Sequence, residues 1–495
     1  MSRIANIRRP AKNRLELPAI KPLKIDAGPC LRINVRGLDD DRTMSFSYID
    51  LFAGCGGLSL GLEAAGGDLL VAVERSPMAG ETFFHNLLGP VKSEGQWREY
   101  VASELGIQLE NGLVVKELDK LLSSQEAVEQ LEKANPDAIV GGPPCQGFSL
   151  AGRRNPDDIR NSLPWQFLTL VEKTRPKVVV IENVVGMRHK FTGDSSDVFG
   201  QLQTALHETG PGYMVQPVEV NALHYGAPQH RPRLMIIGVR LDIANAKNLK
   251  STGDLWRSNF LDKLTAPIPD LAPAPTVKSD EVRTVRDALT GLSGSAVAGG
   301  KRMDVYSSDW GVLKNGKSKI PANQNKRNHQ PLSVTRFELY QWLSENGFDS
   351  KTLSTYTGGD PAVKLRILEQ IVSRSSFPLR TRRGQLIASD KSELERLFEA
   401  VKTKKHSQRV LNLDEPARTV VTIGDDYVHP IEPRTFTVRE LARFQGFPDS
   451  FEFRAKETTG GLNRRNEVPQ YSQVGNAVSP LLARAVGELI SRIVS

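Results

Sequence analysis

The chain is poor in cysteine: Cys30, Cys55 and Cys145 are its only three in 495 residues, and no two form a CxxC pair. That scarcity excludes a disulfide framework, argues against a structural zinc site and fits a reducing cytoplasm. Long apolar runs are also missing. No stretch approaches the roughly 18 apolar residues of a membrane span, and the opening segment MSRIANIRRPAKNRLELPAI has no apolar secretory core. A soluble, unexported, cytoplasmic protein is expected, with neither metal nor membrane as partner. Internal repeats are absent as well: Gln-Gly-Phe occurs at Gln146 and Gln445, but with unrelated flanks.

What is present suffices for cores, with a hydrophobic share of 39%. The length suggests two or three domains. The net charge of +8 is unevenly placed. Residues 1–45 hold ten Lys/Arg against five acids, and 299–330 hold seven against two, leaving −2 for the remainder. Localised basic charge is the footprint of a phosphate-backbone binder, although a solvated tail and a solvated loop would read the same way.

Between 48 and 240 short apolar runs alternate with amphipathic ones. Strands are expected over 48–52, 69–74, 138–141, 178–182, 214–220 and 234–239, and helices over 58–65, 80–88, 125–134, 165–174 and 198–208. This alternation predicts an α/β, doubly wound sheet, with ligands beyond the carboxyl ends of its strands. After 240 the pattern breaks. The four prolines of 264–276 require an extended connector. A mixed region follows, with helices expected over 333–345 and 392–402.

Five segments carry chemistry. IDLFAGCGGLSLGLEAAG (49–66) has the strand, glycine turn and helix that cradle a nucleotide-like ligand. GGPPCQGFS (141–149) presents Cys145 from a turn fixed by Pro143 and Pro144. KVVVIENV (177–184) ends a strand on Glu182 and Asn183, GAPQHRPRL (226–234) sets Arg231 and Arg233 two residues apart, and QVGNAVSPLLARAV (473–486) opens a last helix. Singly these are weak signals. A lone cysteine is more often a buried core residue, a strand-end Glu can simply face solvent, and two arginines can mark a surface strand. Taken in order, the set resembles the DNA (cytosine-5) methyltransferase family, from about 48 to the C-terminus. EPARTVVT (415–422) and FTVRELARFQGFPDSF (436–451) resume the likeness, while 245–410 carries no recognised motif.

The resemblance implies a Rossmann-like methyltransferase domain using S-adenosylmethionine, with a smaller mixed target-recognition domain. It makes Cys145 the nucleophile that attacks carbon 6 of cytosine and so activates carbon 5, a task suited to a thiolate. Glu182, with Asn183, would offset charge at ring nitrogen 3. Arg231 and Arg233 would hold the exocyclic oxygen and the carboxylate network. For the cofactor it implies Phe52 as a stacking face, the turn Gly54, Cys55, Gly56 and Gly57, and Glu74 on the ribose hydroxyls. Asp119 would take the adenine amino group, and Pro144, Leu163, Asn476 and Val478 the pocket wall, the last two from a strand-helix turn. The family usually has Gly-Asp at the place of Asp119. Here the residues are Lys-Glu-Leu-Asp, so Glu117 is an alternative.

The expected organisation is a basic extension (1–45), a catalytic domain (46–244), a target-recognition domain (245–469) and a returning segment (470–495). Rotating a base out of a duplex requires an extended DNA grip. Candidates for it are Lys301, Arg302, Lys314, Lys317, Lys319, Lys326 and Arg327 on phosphates, and Arg380, Arg382 and Arg383 on base edges or phosphates. A monomer acting on double-stranded DNA is expected, as the modification partner of a restriction endonuclease that reads the same site. A tRNA methylase would share the motifs but have a shorter recognition segment. A DNA-binding module without catalysis would show erosion at Cys145, Glu182 or the glycine loop, and none is visible.

Overall fold

The structure is a computed structural model that describes residues 46–144, 162–188, 197–307, 310–315, 321–349, 351–403, 405, 407–460 and 466–495. The expected 1–45 extension, Cys145, Lys317 and Lys319 lie outside these residues.

The strands are β1 (Phe46–Leu51), β2 (Gly67–Val73), β3 (Leu113–Val114), β4 (Ala138–Gly141), β5 (Val178–Asn183), β6 (Tyr213–Asn221), β7 (Pro232–Arg240) and β8 (Trp256–Arg257). They form one sheet in the order β3-β2-β1-β4-β5-β7-β6-β8. Pairing is parallel except at β7, which runs antiparallel to β5 and β6. Side chains alternate across the pleat, and both faces are apolar. Tyr48, Val140 and Val180 enter one core, while Leu51, Ile139 and Ile181 enter the other. The first face is covered by helices Gly57–Ala64 and Pro480–Val494, the second by Gln125–Ala134, Leu163–Thr174 and Val198–Glu208. The chain is thus doubly wound, as its alternating pattern predicts. β3 and β8 have two residues each, too short for periodicity to reveal, and helices Glu94–Ala102, Leu105–Glu110 and Leu118–Leu122 also escape the pattern.

Glycines bring the last helix onto the first. A Cβ at Gly61 would lie 2.4 Å from Ala483 Cβ and from Pro480 O, and one at Gly57 would lie 2.4 Å from Val478 O. The C-terminal return is therefore built against the glycine turn. Before it, helix Val438–Gln445 is buried on all sides. A reciprocal cap supports it: the Glu440 amide donates to Thr437 Oγ1 at 3.2 Å, and the Thr437 amide donates to Glu440 Oε2 at 2.7 Å.

The expected 245–469 span is not organised around a single core. Leu271, Val285, Tyr306, Val312, Leu411, Tyr427, Phe436 and Phe453 all join the core of the sheet. A separate core unites Phe337, Trp342, Tyr356, Ile371, Leu394 and Phe398 on helices Pro331–Glu345, Thr352–Gly358, Pro361–Arg374 and Lys391–Ala400. Proline patterning marks 264–276 as irregular, but it cannot show which flank packs on the sheet.

Candidate active site

At the end of β1 the chain turns through left-handed conformations at Phe52 (φ 60), Gly54 (φ 58) and Gly56 (φ 94). Such a conformation is costly for a bulky residue such as Phe52 and tends to mark a functional turn. Gly54 donates its amide to Glu74 Oε2 at 2.9 Å, and Ser76 donates to Oε1 at 2.7 Å. Burial raises the Glu74 carboxyl, and these two amides oppose that shift. Each carboxylate oxygen keeps a lone pair for a ligand. A Cβ at Gly54 would meet nothing within 4 Å, so the turn borders open space. Cys55 could contribute to the cofactor turn only through its backbone. Its side chain is buried in the core, with Sγ 3.7 Å from Gln473 O, and burial pushes the thiol up to about 12.

Asp119, at the start of helix Leu118–Leu122, has a buried Oδ1 with no hydrogen-bond partner. Glu117 instead points outward to Arg75 at 3.5 Å, both side chains being 59% exposed. Asp119 thus has the unmet acceptor that an adenine amino group would satisfy, and together with the turn and Glu74 it fits an adenosyl ligand. Pro144 and Leu163 are partly buried at the two borders of 145–161. Asn476 is exposed at the end of helix Gln470–Asn476, and Val478 lies in the link to Pro480–Val494. The expected strand-helix turn is therefore a turn between two helices.

On the neighbouring strand, Glu182 Oε1 pairs with Arg233 Nε at 2.7 Å, and both side chains are nearly buried. The other oxygen packs on Gly142, where a Cβ would fall 2.8 Å from Oε2. Asn183 Nδ2 donates to Pro143 O at 2.9 Å. The two strand-end side chains thus grip the backbone that leads into Cys145. Arg231 is not part of this group. Its guanidinium donates to Val420 O at 3.0 Å and to Gly475 O and Ala477 O at 2.8 Å each, and the residue is 1% exposed. Burial and the adjacent Arg233 hold it well below the ordinary arginine pKa. It fastens the C-terminal return, while Arg233 stays with Glu182.

Residues 46–492 match the family model of the C-5 cytosine-specific DNA methylases. The chain belongs to this family. It is a DNA (cytosine-5) methyltransferase, and its family and fold imply S-adenosylmethionine as methyl donor and DNA as substrate. Type II methyltransferase M.DdeI of Desulfomicrobium norvegicum is 27% identical over 449 residues, spanning 90% of this chain and 88% of the relative. Type II methyltransferase M1.HphI of Haemophilus parahaemolyticus is 28% identical over 453 residues, spanning 91% and 88%. A solved DNA modification methyltransferase encoded within an E. coli prophage aligns with a TM-score of 0.54 at 23% identity, covering 90% of this chain and 99% of that one, and so shares its fold.

Three buried amides of this methyltransferase, Gln229, Gln445 and Gln473, lie inside the segments that carry the family resemblance, but the sequence assigns them no role of their own. Gln473 accepts from Thr82 Oγ1 at 2.7 Å and donates to Val468 O at 3.0 Å. Gln229 donates to Gln445 Oε1 and accepts from the Val420 amide at 3.0 Å, and Gln445 in turn donates to Val474 O at 2.8 Å. They join segments hundreds of residues apart behind the site.

Two of the cations expected on DNA are engaged internally. Lys326 pairs with Glu432 at 2.6 Å, while Arg327 pairs with Asp425 and lies 5.7 Å from the Tyr471 ring centroid. Lys301, Arg302 and Lys314 are exposed. Arg380, Arg382 and Arg383 are exposed on a hairpin formed by Leu379–Arg380 and Leu386–Ala388. Its turn is closed by the Thr381 amide on Gln385 O at 2.8 Å, with Gly384 at φ 82. Leu379 and Ala388 root it in the second core. Among the described residues no helix is long and apolar enough to cross a membrane, and no group of three or more His, Cys, Asp or Glu is placed to hold a metal ion.

Proposed function

We propose that the enzyme methylates carbon 5 of a cytosine flipped out of a short duplex sequence, with Cys145 as nucleophile, as the modification half of a restriction-modification system. The observation that carries this reading is the Glu182–Arg233 pair seated on Gly142, three residues before Cys145. The type II names of the relatives support the biological role.

In this reading the Cys145 thiolate forms a bond to carbon 6, and electron density moves toward carbon 5 and ring nitrogen 3. Arg233 fixes one oxygen of Glu182, so the carboxyl group meets nitrogen 3 in one orientation and can share a proton there. The remaining guanidinium donors of Arg233 suit the exocyclic oxygen. Asn183 acts indirectly, by holding the Pro143 carbonyl two residues before Cys145 in the chain. Bound S-adenosylmethionine would supply an electrophilic methyl group to carbon 5. Loss of the carbon-5 proton to a base then lets the carbon 6–sulfur bond break, which returns the Cys145 thiolate and restores the ring double bond. Glu74 would accept its ribose hydroxyls, Asp119 its adenine amino group and Phe52 its ring face, while Gly54, Gly56 and Gly57 keep the turn close to it. Leu163, Pro144, Asn476 and Val478 would line the remaining wall.

Sequence reading is assigned to the separately cored 331–403 unit, with Arg380, Arg382 and Arg383 on its hairpin as base-edge or phosphate contacts. Lys301 and Arg302 would hold flanking phosphates.

The test is incubation with S-adenosylmethionine and random-sequence duplex DNA, followed by bisulfite sequencing. 5-Methylcytosine confined to one short motif is the expected result, and Cys145→Ala should abolish it while DNA still binds. Methylation of tRNA with none on duplex DNA would overturn the proposal.

A further inference from the structure

The second core connects to the sheet through two stretches of chain, one outbound before Pro331 and one returning after Val401. Both converge on the segment 425–434, where Tyr427 packs in the core of the sheet and Val428 in the second core. On the outbound stretch, adjacent cations diverge: Lys326 reaches Glu432 at 2.6 Å, and Arg327 reaches Asp425 while lying over the Tyr471 ring. On the return, Lys405 Nζ reaches the other Asp425 oxygen at 2.8 Å. The same turn takes further contacts from the return: Gln408 Nε2 donates to Asp425 O at 2.8 Å, and Arg409–Val410 pairs in parallel with Tyr427–Val428. From inside the second core, Gln341 Nε2 donates to His429 O at 2.7 Å and to Glu432 O at 2.8 Å.

Asp425 is therefore the one side chain described that binds both connecting stretches, one with each carboxylate oxygen. Burial by itself would raise this carboxyl, but the Lys405 hydrogen bond and the Arg327 charge bring it below its ordinary value. Exposed ion pairs taken singly contribute little; a network of several charges sharing one carboxylate is the exception. The aromatic face of Tyr471 further limits the freedom of Arg327.

We propose that Asp425 is a positioning residue that sets the orientation of the 331–403 unit relative to the catalytic cleft by clamping both of its connections. The inference rests on the reading of that unit as the DNA-recognition element. Releasing the clamp leaves both bodies folded on their own cores and broadens the angle between them. Fewer molecules then hold the recognition hairpin and the cleft in register on the same duplex. The cost falls on productive DNA engagement, and cofactor binding is spared.

Asp425→Asn keeps the shape and removes the charge. The expected result is a rise in KM for DNA of about 5- to 10-fold, within the range of coupling seen for groups in one network, with kcat and the dissociation constant for S-adenosylmethionine within about twofold of wild type. Small-angle X-ray scattering of the full chain without DNA should show a broader distance distribution for Asp425→Asn. Because scattering requires no substrate, it distinguishes a failure of the clamp from a failure of the recognition reading. An unchanged scattering curve would overturn the clamp, as would equal losses of DNA and cofactor binding in Asp425→Asn. A broadened curve with unchanged KM for DNA would keep the clamp and remove its role in recognition.

Discussion

Arg231→Met tests the separation of the two arginines most directly. The substitution preserves much of the buried volume but removes three charge-assisted hydrogen bonds, to Val420 O, Gly475 O and Ala477 O. Orphaning a buried carbonyl costs about 1–3 kcal/mol, so three would cost about 3–9 kcal/mol. Against this, the variant no longer desolvates a guanidinium, whose burial costs several kcal/mol. The expected net loss is about 2–4 kcal/mol, appearing as a lower urea midpoint at unchanged slope and a drop in melting temperature of roughly 2 °C per kcal/mol for a body of this size. Activity measured well below the melting point should persist. Arg233→Met should instead lower kcat by about 10²-fold, because Glu182 loses its orienting partner, and should lower the melting temperature as well, because a nearly buried carboxylate is left unpaired. If Arg231→Met melts within about 1 °C of wild type yet loses methyl transfer, Arg231 contacts the base, and the assignment made from the burial pattern is wrong.

Gly61→Val should dislodge the last helix, since even a first carbon there would lie 2.4 Å from Pro480 O; a loss of about 3 kcal/mol or more should accompany faster proteolytic release of the C-terminal segment. Asp119→Asn should weaken S-adenosylmethionine binding by about tenfold in calorimetry, and Glu117→Gln by no more than about twofold. Equal effects would return Glu117 to the adenine site. His429 is fully buried, its Nδ1 accepts the amides of Ile431 and Glu432, and burial pushes its pKa down to about 4. The ring stays neutral in the fold while the unfolded chain protonates near 6.5, so its contribution is complete above about pH 6.5 and falls by about 3 kcal/mol as pH drops to 4. His429→Asn should flatten that part of the curve of urea midpoint against pH.

The sheet was legible because its strands are buried on both faces and its helices are long enough to show their period. β4 and helices Gln125–Ala134 and Val198–Glu208 begin and end where the apolar pattern does. β3 and β8 could not be read, because two residues contain no alternation. The positions of the glycine turn, Glu74 and Glu182 were legible locally, since each ends a strand at its carboxyl edge, where an α/β sheet presents its ligands, whereas the role given to Glu182 came from the family resemblance. The limits of the second core were not legible. The segments on either side of it, Val285–Leu289 and Val438–Gln445, contact each other on the sheet, a pairing of sequence-distant helices that no local pattern encodes.

Arg231 and Arg233 show why spacing misleads at a strand entrance. Two residues apart within a strand, they would share a face and plausibly a task. But β7 begins at Pro232, so only Arg233 lies within the pleat, where it opposes Val220 of β6 and reaches Glu182 on β5. Arg231 lies one residue outside, fixed by its own amide on Asn221 Oδ1 at 2.9 Å, and its side chain swings to the C-terminal return. The same reasoning accounts for Lys326 and Arg327. Net charge located them correctly as a basic cluster, but charge density does not reveal whether a carboxylate lies opposite, and here Glu432 and Asp425 do. A basic stretch in such an enzyme is thus evidence for DNA contact only after its internal acidic partners have been counted. By that count Lys326 and Arg327 drop out as DNA contacts, while Lys301, Arg302, Lys314 and the hairpin arginines stay exposed.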